Sequence, residues 1–329
     1  MAQAPMITTL DIKGFKSVKN LHLDCKRINL FIGEPNTGKS NILEALGFLS
    51  WCGHGGELHD YVRFEKTQDL FYDGLVEKGA WQLKMGGKSP FQLDAEYGQG
   101  EYRFLKSGGP LFLRLGHNGE NRGGGFAKDE LAFVKSYRFK PLQNMDSDEL
   151  GSLAPPHGRN MAALVYSSKD LRRLAADYFA PYGLHFAVNP HEHKFEVQKQ
   201  SEGIVVIFPY HLTSDTLRRM IFYTVAIDSN KDSTLTFEEP EAHAFPYYTK
   251  HLGERIALDE NRNQYFIATH NPYLLTAIWE KSAAGEVAVF ATYYRDYETR
   301  VKMLTEDDMT RLFEADPFLG VSHLVEEAP

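Results

Sequence analysis

The chain has 329 residues, enough for about two domains of roughly 150 residues each. Hydrophobic residues make up 43% and charged residues 24%, which predicts a sizeable core and excludes a fibre or a disordered chain. The 36 Lys+Arg and 44 Asp+Glu give a formal net charge of -8, which excludes the overall basic surface of a protein that coats DNA. Nucleic acid stays open as a partner, but only through a local basic patch.

The two cysteines, Cys25 and Cys52, are too few for a disulfide framework. The N-terminus lacks the basic and long apolar regions of a signal peptide, and the longest apolar runs, such as Met220 to Ile227, fall far short of a membrane span. We therefore expect a soluble cytoplasmic protein without a membrane partner.

The first predicted elements are strands. Met6 to Phe15 is rich in β-branched residues, and Val18 to Leu23 alternates apolar with polar residues. Ile28 to Ile32 is a short continuous apolar run, which is typical of a strand buried on both faces. A glycine loop follows, and Asn41 to Ser50 has apolar residues at helical spacing. Strand, loop and helix therefore come in the order that a phosphate site requires.

The middle of the chain is rich in loops, since most of the 27 glycines lie between Gly53 and Gly203. This glycine density excludes a long coiled coil there. We predict β-hairpins from Trp81 to Phe139, a helix from Met161 to Ala180, and then three short strands up to Phe208.

The last third alternates helices and strands, which indicates a mostly parallel sheet. The predicted elements are a helix at Ser214 to Ile227, a strand at Ser233 to Phe237, a helix at Ala244 to Leu258, a strand at Tyr265 to Ala268, a helix at Pro272 to Glu280, and a hairpin of Val287 to Tyr294 with Arg300 to Leu304. We predict one α/β lobe that shares a sheet between residues 1–50 and 210–312, an inserted lobe of hairpins and helix at 51–209, and a tail at 313–329.

The loop after the third strand, GEPNTGKS, fits the phosphate-binding pattern G-x-x-x-x-G-K-[ST]. Its glycines let backbone N–H groups turn towards phosphates, and the next helix offers its N-terminus to their negative charge. The lysine supplies an ammonium group for phosphate oxygens, and the serine hydroxyl can ligate Mg²⁺. The predicted ATP ligands are Gly33, Asn36, Thr37, Gly38, Lys39 and Ser40.

A strand in the last third ends in the carboxylates Glu238 and Glu239, followed by Pro240. Because adjacent strand residues point in opposite directions, Glu238 can face a hydrated Mg²⁺ while Glu239 polarises the attacking water. Alone, such an acidic string is usually a solvated loop. Its combination with the phosphate loop in one predicted sheet favours a nucleotide site.

The next strand ends at His270, and a lone histidine there is more often structural than catalytic. The ordered set FKS, GEPNTGKS, SDTLRR, FEEPEAH and THNP, however, resembles the ABC-type ATPase heads of the RecF, SMC and OLD (overcoming lysogenization defect) group. It is most similar to stand-alone AAA-type ATPases of bacterial antiviral systems. The resemblance covers about 45 N-terminal residues and Pro209 to about Leu312, and it implies an α/β P-loop fold.

The resemblance also implies roles for particular residues. The phosphate loop corresponds to Walker A, Glu238 and Glu239 to Walker B, and His270 to a switch histidine that senses the γ-phosphate. Lys16 and Ser17 would approach the nucleotide, with an exposed turn as the alternative. Ser214 would complete the ATP site of a second subunit in trans, with a helix N-cap as the alternative.

Three departures from the family pattern are evident, and one is Ala244-Phe245-Pro246, where Leu-His-Pro often follows the acidic motif. The signature normally carries a glycine near Ser214, but here the sequence continues Asp215-Thr216-Leu217, which puts tight sensing across a dimer in doubt. The expected glutamine of the lobe switch has no clear counterpart, and Gln143 is the candidate.

The resemblance implies an ATP hydrolase, expected to be slow, that forms a homodimer or higher oligomer through its ATP sites. Residues 313–329 are too few for the Toprim nuclease domain that follows the ATPase in the OLD group. The expected output is therefore a separately encoded effector, with a nuclease as the candidate, in antiviral defence. The alternatives are a RecF-like ATPase that clamps DNA in repair and a nucleotide-binding scaffold with little turnover.

Overall fold

The structure is a computed structural model and describes residues 6–76, 80–106, 111–125 and 127–314. Most of the predicted tail, residues 315–329, therefore lies outside the described residues. None of the described helices is both long and apolar enough to cross a membrane.

The described residues form sixteen β-strands and nine α-helices. The strands are β1 (Ile7–Phe15), β2 (Val18–Asp24), β3 (Ile28–Ile32), β4 (Trp81–Gly87), β5 (Phe91–Gly98), β6 (Glu101–Lys106), β7 (Leu111–Leu115), β8 (Asn121–Gly124), β9 (Val134–Tyr137), β10 (His185–Asn189), β11 (Lys194–Ser201), β12 (Ile204–Pro209), β13 (Thr234–Glu238), β14 (Gln264–Ala268), β15 (Val287–Arg295) and β16 (Glu298–Met303). The α-helices are α1 (Lys39–His54), α2 (Leu58–Tyr61), α3 (Lys128–Leu131), α4 (Met161–Ser167), α5 (Lys169–Phe179), α6 (Asp215–Ser229), α7 (Pro246–Ala257), α8 (Pro272–Lys281) and α9 (Glu306–Glu314).

The parallel sheet has six strands in the order β16-β15-β3-β14-β13-β9, and all of its pairs are parallel except β15 with the edge strand β16. Strand β3 lies at its centre and is buried along its whole length, as its continuous apolar sequence predicts. The carboxyl ends of β3, β14, β13 and β9 meet at one edge of the sheet. In open sheets of this kind, ligands bind at that edge.

The second sheet is antiparallel and has seven strands in the order β2-β1-β4-β5-β6-β7-β8. This corrects the expectation that all strands of residues 1–50 share the parallel sheet. A turn at Lys16, which has a φ of 51°, folds β2 back antiparallel to β1, and β1 then pairs with β4 of the middle region. The N-terminal hairpin therefore extends the sheet of hairpins.

The middle region also contributes to the parallel sheet, because β9 pairs with β13 from Thr234↔Val134 to Phe237↔Tyr137. The boundaries of the two lobes at residues 50 and 210 stay a prediction. The pairings of β1 and β9 nevertheless show that each sheet draws strands from both parts of the chain.

Helix α1 packs against strands of both sheets and is buried on almost all sides. Phe31 of β3 belongs to the apolar core around α1, whereas its neighbours Leu30 and Ile32 belong to the core formed with α6, α7 and α8. The period of two along β3 thus divides its side chains between two cores. Packing on both sides fixes the phosphate loop at the start of α1.

The predicted helix from Met161 to Ala180 is interrupted in the structure. Helix α4 ends at Ser167, and Ser168 is extended, with its side chain accepting a hydrogen bond from the backbone N–H of Leu171. Ser168 is thus the N-cap of α5, because its hydroxyl satisfies an amide that would otherwise have no partner. The remaining strands of the middle, β10-β11-β12, form a separate antiparallel sheet.

Candidate nucleotide site

The phosphate loop runs from the end of β3 to the start of α1. Lys39 donates from Nζ to the carbonyl oxygens of Gly33 at 2.9 Å and Glu34 at 2.6 Å, so the ammonium group lies across the loop. Thr37 donates its hydroxyl to the carbonyl oxygen of Glu34 at 2.9 Å. Burial lowers the pKa of Lys39 to about 8, although Glu239, Glu238 and Glu34 oppose that shift. A phosphate group bound here would supply negative charge that the buried ammonium lacks.

Three loop residues have a positive φ that side chains disfavour, Gly33 with 143°, Asn36 with 62° and Gly38 with 96°. A Cβ atom at Gly38 would also lie 1.9 Å from Oγ1 of Thr299 in β16. The same hydroxyl lies 2.6 Å from Oγ of Ser17, which in turn accepts a hydrogen bond from Nδ2 of Asn41 at 2.6 Å. The turn between β1 and β2 and the hairpin of β16 therefore both hold the loop.

Lys16, next to Ser17 in the same turn, has different partners. Its Nζ pairs with the buried carboxylate of Glu44 and donates to the carbonyl oxygen of Arg63. Burial lowers the pKa of Lys16, although Glu44 opposes that shift. The structure thus brings Ser17 to the phosphate loop by hydrogen bonds, while the ammonium group of Lys16 is engaged by Glu44.

The acidic pair lies at the carboxyl end of β13. Ser40 lies beside Glu238, whose carboxylate is 3.2 Å from Nη2 of Arg63 and 3.1 Å from Nη2 of Arg138. Burial alone would raise the pKa of Glu238, but Ser40 and the two guanidinium groups outweigh that effect and lower it. Glu238 therefore stays ionised beside the Ser40 hydroxyl.

Ser40 and Glu238 form a pair of oxygen donors of the type that Mg²⁺ prefers. The two guanidinium groups show that this position attracts positive charge, since they neutralise the Glu238 carboxylate. The donor set therefore fits a hydrated Mg²⁺ held between the loop and β13.

Glu239 and His270 face each other across the ends of β13 and β14, with 3.4 Å between Oε1 and Nε2. Glu239 has a φ of 43° and a half-exposed side chain, and its backbone N–H donates to the carbonyl oxygen of Ala268. Burial lowers the pKa of His270, with a further lowering by Lys39 and an opposing effect of Glu239. The two side chains predicted to act in hydrolysis are therefore neighbours, and both interact electrostatically with the ammonium group of Lys39.

Glu241, which was not among the predicted site residues, connects the ends of β13 and β14. It is 5% exposed and accepts a hydrogen bond at Oε1 from the hydroxyl of Thr269, the residue before His270. Burial raises its pKa to about 7. The loop after β13 is thereby bonded to the end of β14.

Glu44, Arg63 and Arg138 were also missed as site residues. Glu44 is 3% exposed and accepts a hydrogen bond from Nε of Arg63 at 2.6 Å, with Nη2 of Arg138 at 3.5 Å. The one available signal was a carboxylate in the apolar face of α1, one helical turn after Ser40. Arg138 faces Glu238 in the structure, with 3.1 Å between Nη2 and Oε2.

Ser214 and Gln143 lie elsewhere. Ser214 is the exposed N-cap residue of α6, and its side chain makes no capping hydrogen bond. Gln143 is exposed and lines a cavity with Glu196 and Tyr210. Neither is among the residues described above at the phosphate loop, as expected of Ser214 if it acts in a second subunit.

Parts of the sequence are similar to known ATPases and related proteins. Residues 6–66 match the family model described as an AAA ATPase domain. An ATP/GTP phosphatase of Helicobacter pylori is 35% identical over 88 residues, which are 24% of each chain. The DNA replication and repair protein RecF of Lactococcus lactis subsp. cremoris is 36% identical over 72 residues, 21% of this chain and 20% of RecF. The chain thus aligns over about a quarter or less of the length of these curated relatives.

Two solved structures of SMC heads resemble nearly the whole chain. One is an SMC head bound to the C-winged helix domain of ScpA, with a TM-score of 0.57 at 14% identity over 93% of this chain and 100% of that chain. The other, from Pyrococcus furiosus, has an extended coiled coil and is bound to the C-terminal domain of ScpA; it has the same TM-score and identity, and the match covers 94% of this chain and 99% of that one. The fold is that of an ABC-type P-loop ATPase. The β-rich and helical region between the phosphate loop and α6 is the predicted insertion of this ABC-type fold.

Proposed function

We propose that this protein binds ATP with Mg²⁺ and hydrolyses it slowly, as a switch that controls a partner. The observation that supports this most directly is the convergence of Lys39, Ser40, Glu238, Glu239 and His270 at the carboxyl edge of the parallel sheet. These groups come from three separate strand ends, so their meeting depends on the fold and not on a single motif.

Each side chain has a task that its surroundings support. Lys39 holds phosphate oxygens with its ammonium group, and Ser40 and Glu238 would hold Mg²⁺, which offsets phosphate charge when it is bound. Glu239 is half exposed, so a water molecule can reach its carboxylate, orient there and lose a proton to it. His270 donates to the γ-phosphate or to Glu239 according to its protonation.

Arg63 and Arg138 hold Glu238 before Mg²⁺ enters. Guanidinium groups bind phosphate oxygens as they bind carboxylates, so at least one of the two arginines would turn from Glu238 to the phosphates when ATP is bound. The phosphate contacts would then differ between the ATP and ADP states, and such a difference is what a switch requires.

The predicted partners follow from the family resemblance. A second copy would place its Ser214 on the bound ATP, giving a homodimer or a larger oligomer. The output would pass to a separately encoded effector, with a nuclease as the candidate, in antiviral defence like that of the OLD-like ATPases. The similarity to RecF makes a DNA-repair ATPase the alternative. Strongly salt-dependent binding of duplex DNA by the isolated protein would favour that alternative.

The test compares wild type with Glu239→Gln at saturating ATP and Mg²⁺. We expect the wild type to hydrolyse ATP. The variant should bind ATP with similar affinity but hydrolyse it at least about 100-fold more slowly, because the amide cannot accept the proton. Phosphate release and equilibrium ATP binding are the two measurements.

The outcomes separate the candidate functions. Equal hydrolysis by both proteins would show that Glu239 is not the base. If both bind ATP and neither hydrolyses it, the protein is a nucleotide-binding scaffold. Loss of binding in Lys39→Ala is expected under every candidate function and therefore serves only as a control for the site.

A further inference from the structure

A cavity of about 560 Å³ lies between the C-terminal end of α1, the start of β9 and the segment 146–159. This volume is in the range of small-molecule sites and far exceeds the space of a single water molecule. Its lining is mainly polar and includes Lys135, His54 and His157. The proposed ATP hydrolysis uses none of these side chains.

The ammonium group of Lys135 has an unusual environment. Its Nζ donates to Oγ of Ser152 at 2.7 Å and to Oδ1 of Asn230 at 2.6 Å, and both acceptors are neutral. Among the described residues, no carboxylate lies within ion-pair distance of it. Burial lowers the pKa of Lys135 to about 8, with no compensating negative charge. Since an ammonium group has three donor protons, one remains for a ligand.

The position of this ammonium group is fixed before any ligand arrives. Asn230 is fully buried, and its Nδ2 donates to the hydroxyl of Tyr137 at 2.8 Å and to the carbonyl oxygen of Ala226 at 2.7 Å. Those two bonds orient Oδ1 of Asn230 towards Lys135. A preorganised cation costs less entropy on binding than a mobile surface lysine does.

The rim of the cavity carries the opposite charge. Glu57 and Glu149 are exposed there, and Asp146 is bound to Arg159 at 2.8 Å. Carboxylates at the rim repel polyanions such as nucleic acid, but they accept hydrogen bonds from hydroxyl groups. Among the described residues, no group of three or more His, Cys, Asp or Glu side chains could hold a metal ion.

We propose that this cavity binds a small molecule with one anionic group on a hydroxylated body, such as a sugar monophosphate. The anionic group pairs with Lys135 on the floor, and the hydroxyl groups donate to Glu57 and Glu149 at the rim. This charge distribution supports a single anionic group at the inner end and neutral donors at the outer end.

One residue of the cavity wall, His157, is bonded to segments that carry residues of the nucleotide site. His157 lies 3.0 Å from Oδ1 of Asp60 through Nε2 and 2.8 Å from the carbonyl oxygen of Arg138 through Nδ1. Asp60 belongs to α2, three residues before Arg63. Of the two arginines that bind Glu238, Arg138 is therefore joined to the cavity wall by a hydrogen bond at its carbonyl oxygen, and Arg63 by the short segment that follows Asp60. Occupation of the cavity would alter ATP affinity, a consequence that rests on the proposed function.

Binding is tested with ribose 5-phosphate by equilibrium dialysis, in the Lys39→Met background so that the phosphate loop lacks its lysine. We expect saturable binding of one molecule per chain and at least tenfold weaker binding of ribose or inorganic phosphate. Lys135→Met should weaken binding at least tenfold, whereas the matched control Lys169→Met, at an exposed position of α5, should leave it unchanged.

Glu57→Gln provides a second variant that leaves the fold intact, because Glu57 is exposed and makes no side-chain capping bond to α2. We expect it to weaken ribose 5-phosphate several-fold without affecting inorganic phosphate. The absence of saturable binding, or unchanged affinity in both Lys135→Met and Glu57→Gln, would overturn the proposal. Equal affinity for inorganic phosphate would also overturn it, since the hydroxylated body would then play no part.

The coupling is tested separately on the protein with its phosphate loop intact, by measuring ATP affinity with and without ribose 5-phosphate. We expect a change of about fivefold or more, together with an equal reciprocal change in the affinity for ribose 5-phosphate. A protein that does not hydrolyse ATP would contradict the proposed function, but the dialysis result in the Lys39→Met background would stand. Binding without any effect on ATP affinity would overturn the coupling alone.

Discussion

Gly38 and Lys39 show how closely the phosphate loop is fitted into the rest of the molecule. The loop curves so tightly that Gly38 takes a φ of 96° directly against Thr299 of β16. The next residue, Lys39, has its ammonium group on loop carbonyls and lies mainly buried. A nucleotide phosphate would replace those carbonyl contacts without requiring the main chain of α1 to move, because α1 is packed between the sheets.

We predict that Gly38→Ala abolishes ATP binding. The new Cβ would overlap the Thr299 side chain, at 1.9 Å from Oγ1, and the alanine would also be strained at positive φ. Equilibrium binding of a fluorescent ATP analogue measures the loss.

The matched control is Gly203→Ala, in the turn between β11 and β12. Gly203 also has a positive φ, of 83°, but no atom lies within 4 Å of its added Cβ. We expect that variant to lose about 1–2 kcal/mol of unfolding free energy and to keep ATP binding. Retention of ATP binding by Gly38→Ala would show that Thr299 does not constrain the loop.

At the scale of elements, the loop after β13 is joined to the end of β14 through Glu241 and Thr269. Burial raises the pKa of Glu241 to about 7 from 4.5, so the folded protein binds a proton more tightly there than the unfolded chain does. This group therefore favours folding at low pH, and its contribution is lost as the pH rises from 4.5 through about 7.

We predict that Glu241→Gln becomes more stable relative to wild type as the pH rises. The difference in unfolding free energy should grow by about 2 kcal/mol between pH 5 and pH 8, because only the wild type must bury a carboxylate charge. Denaturant unfolding at the two pH values measures it. Glu260→Gln, at an exposed position, should show no such trend. A constant difference for Glu241→Gln would mean that Glu241 is not titrating in this range.

Elements of the site differ in how far the sequence predicts them. The strand ends at Ile32, Glu238 and Ala268 follow from local apolar runs and from the motifs directly after them. Parallel strands place such ends at one edge, so their meeting could be predicted. Arg63 and Arg138 could not, because each reaches Glu238 across at least 100 residues of sequence and neither belongs to a recognisable motif.

The pairing of β1 with β4 was missed for a related physical reason. A half-buried strand shows the same alternation whichever sheet it joins, and the alternation carries no signal for its partner. Helix α5, by contrast, has a local signal that was overlooked. Ser168 before an acidic first turn is an N-cap pattern, and it separates α4 from α5.

At the scale of the whole molecule, the predicted signature segment lies beside an exposed apolar edge. Strand β12 pairs with β11 on one side only among the described residues, and Ile204, Val205 and Ile207 are each more than half exposed. Leu212, two residues before Ser214, is 72% exposed. Apolar edge strands of this kind are normally covered in the working state of a protein. A second copy placed at Ser214 would lie next to this edge.

We therefore predict that Glu239→Gln, which should hold ATP without hydrolysing it, forms dimers with ATP and Mg²⁺ and stays monomeric with ADP. Light scattering coupled to size-exclusion chromatography measures the mass. Adding Ser214→Arg should abolish the dimer and leave ATP binding intact, because Ser214 is exposed at the start of α6 and takes no part in the hydrogen bonds described above for its own phosphate loop.

The control for that substitution is Ser89→Arg, at another exposed serine, in the turn between β4 and β5, which should leave the dimer unchanged. Ile207→Asp should weaken the dimer if β12 belongs to the interface, since a buried unpaired carboxylate is costly. Dimers that persist in both Ser214→Arg and Ile207→Asp would place the interface on another surface and would remove Ser214 from the ATP site of the second subunit.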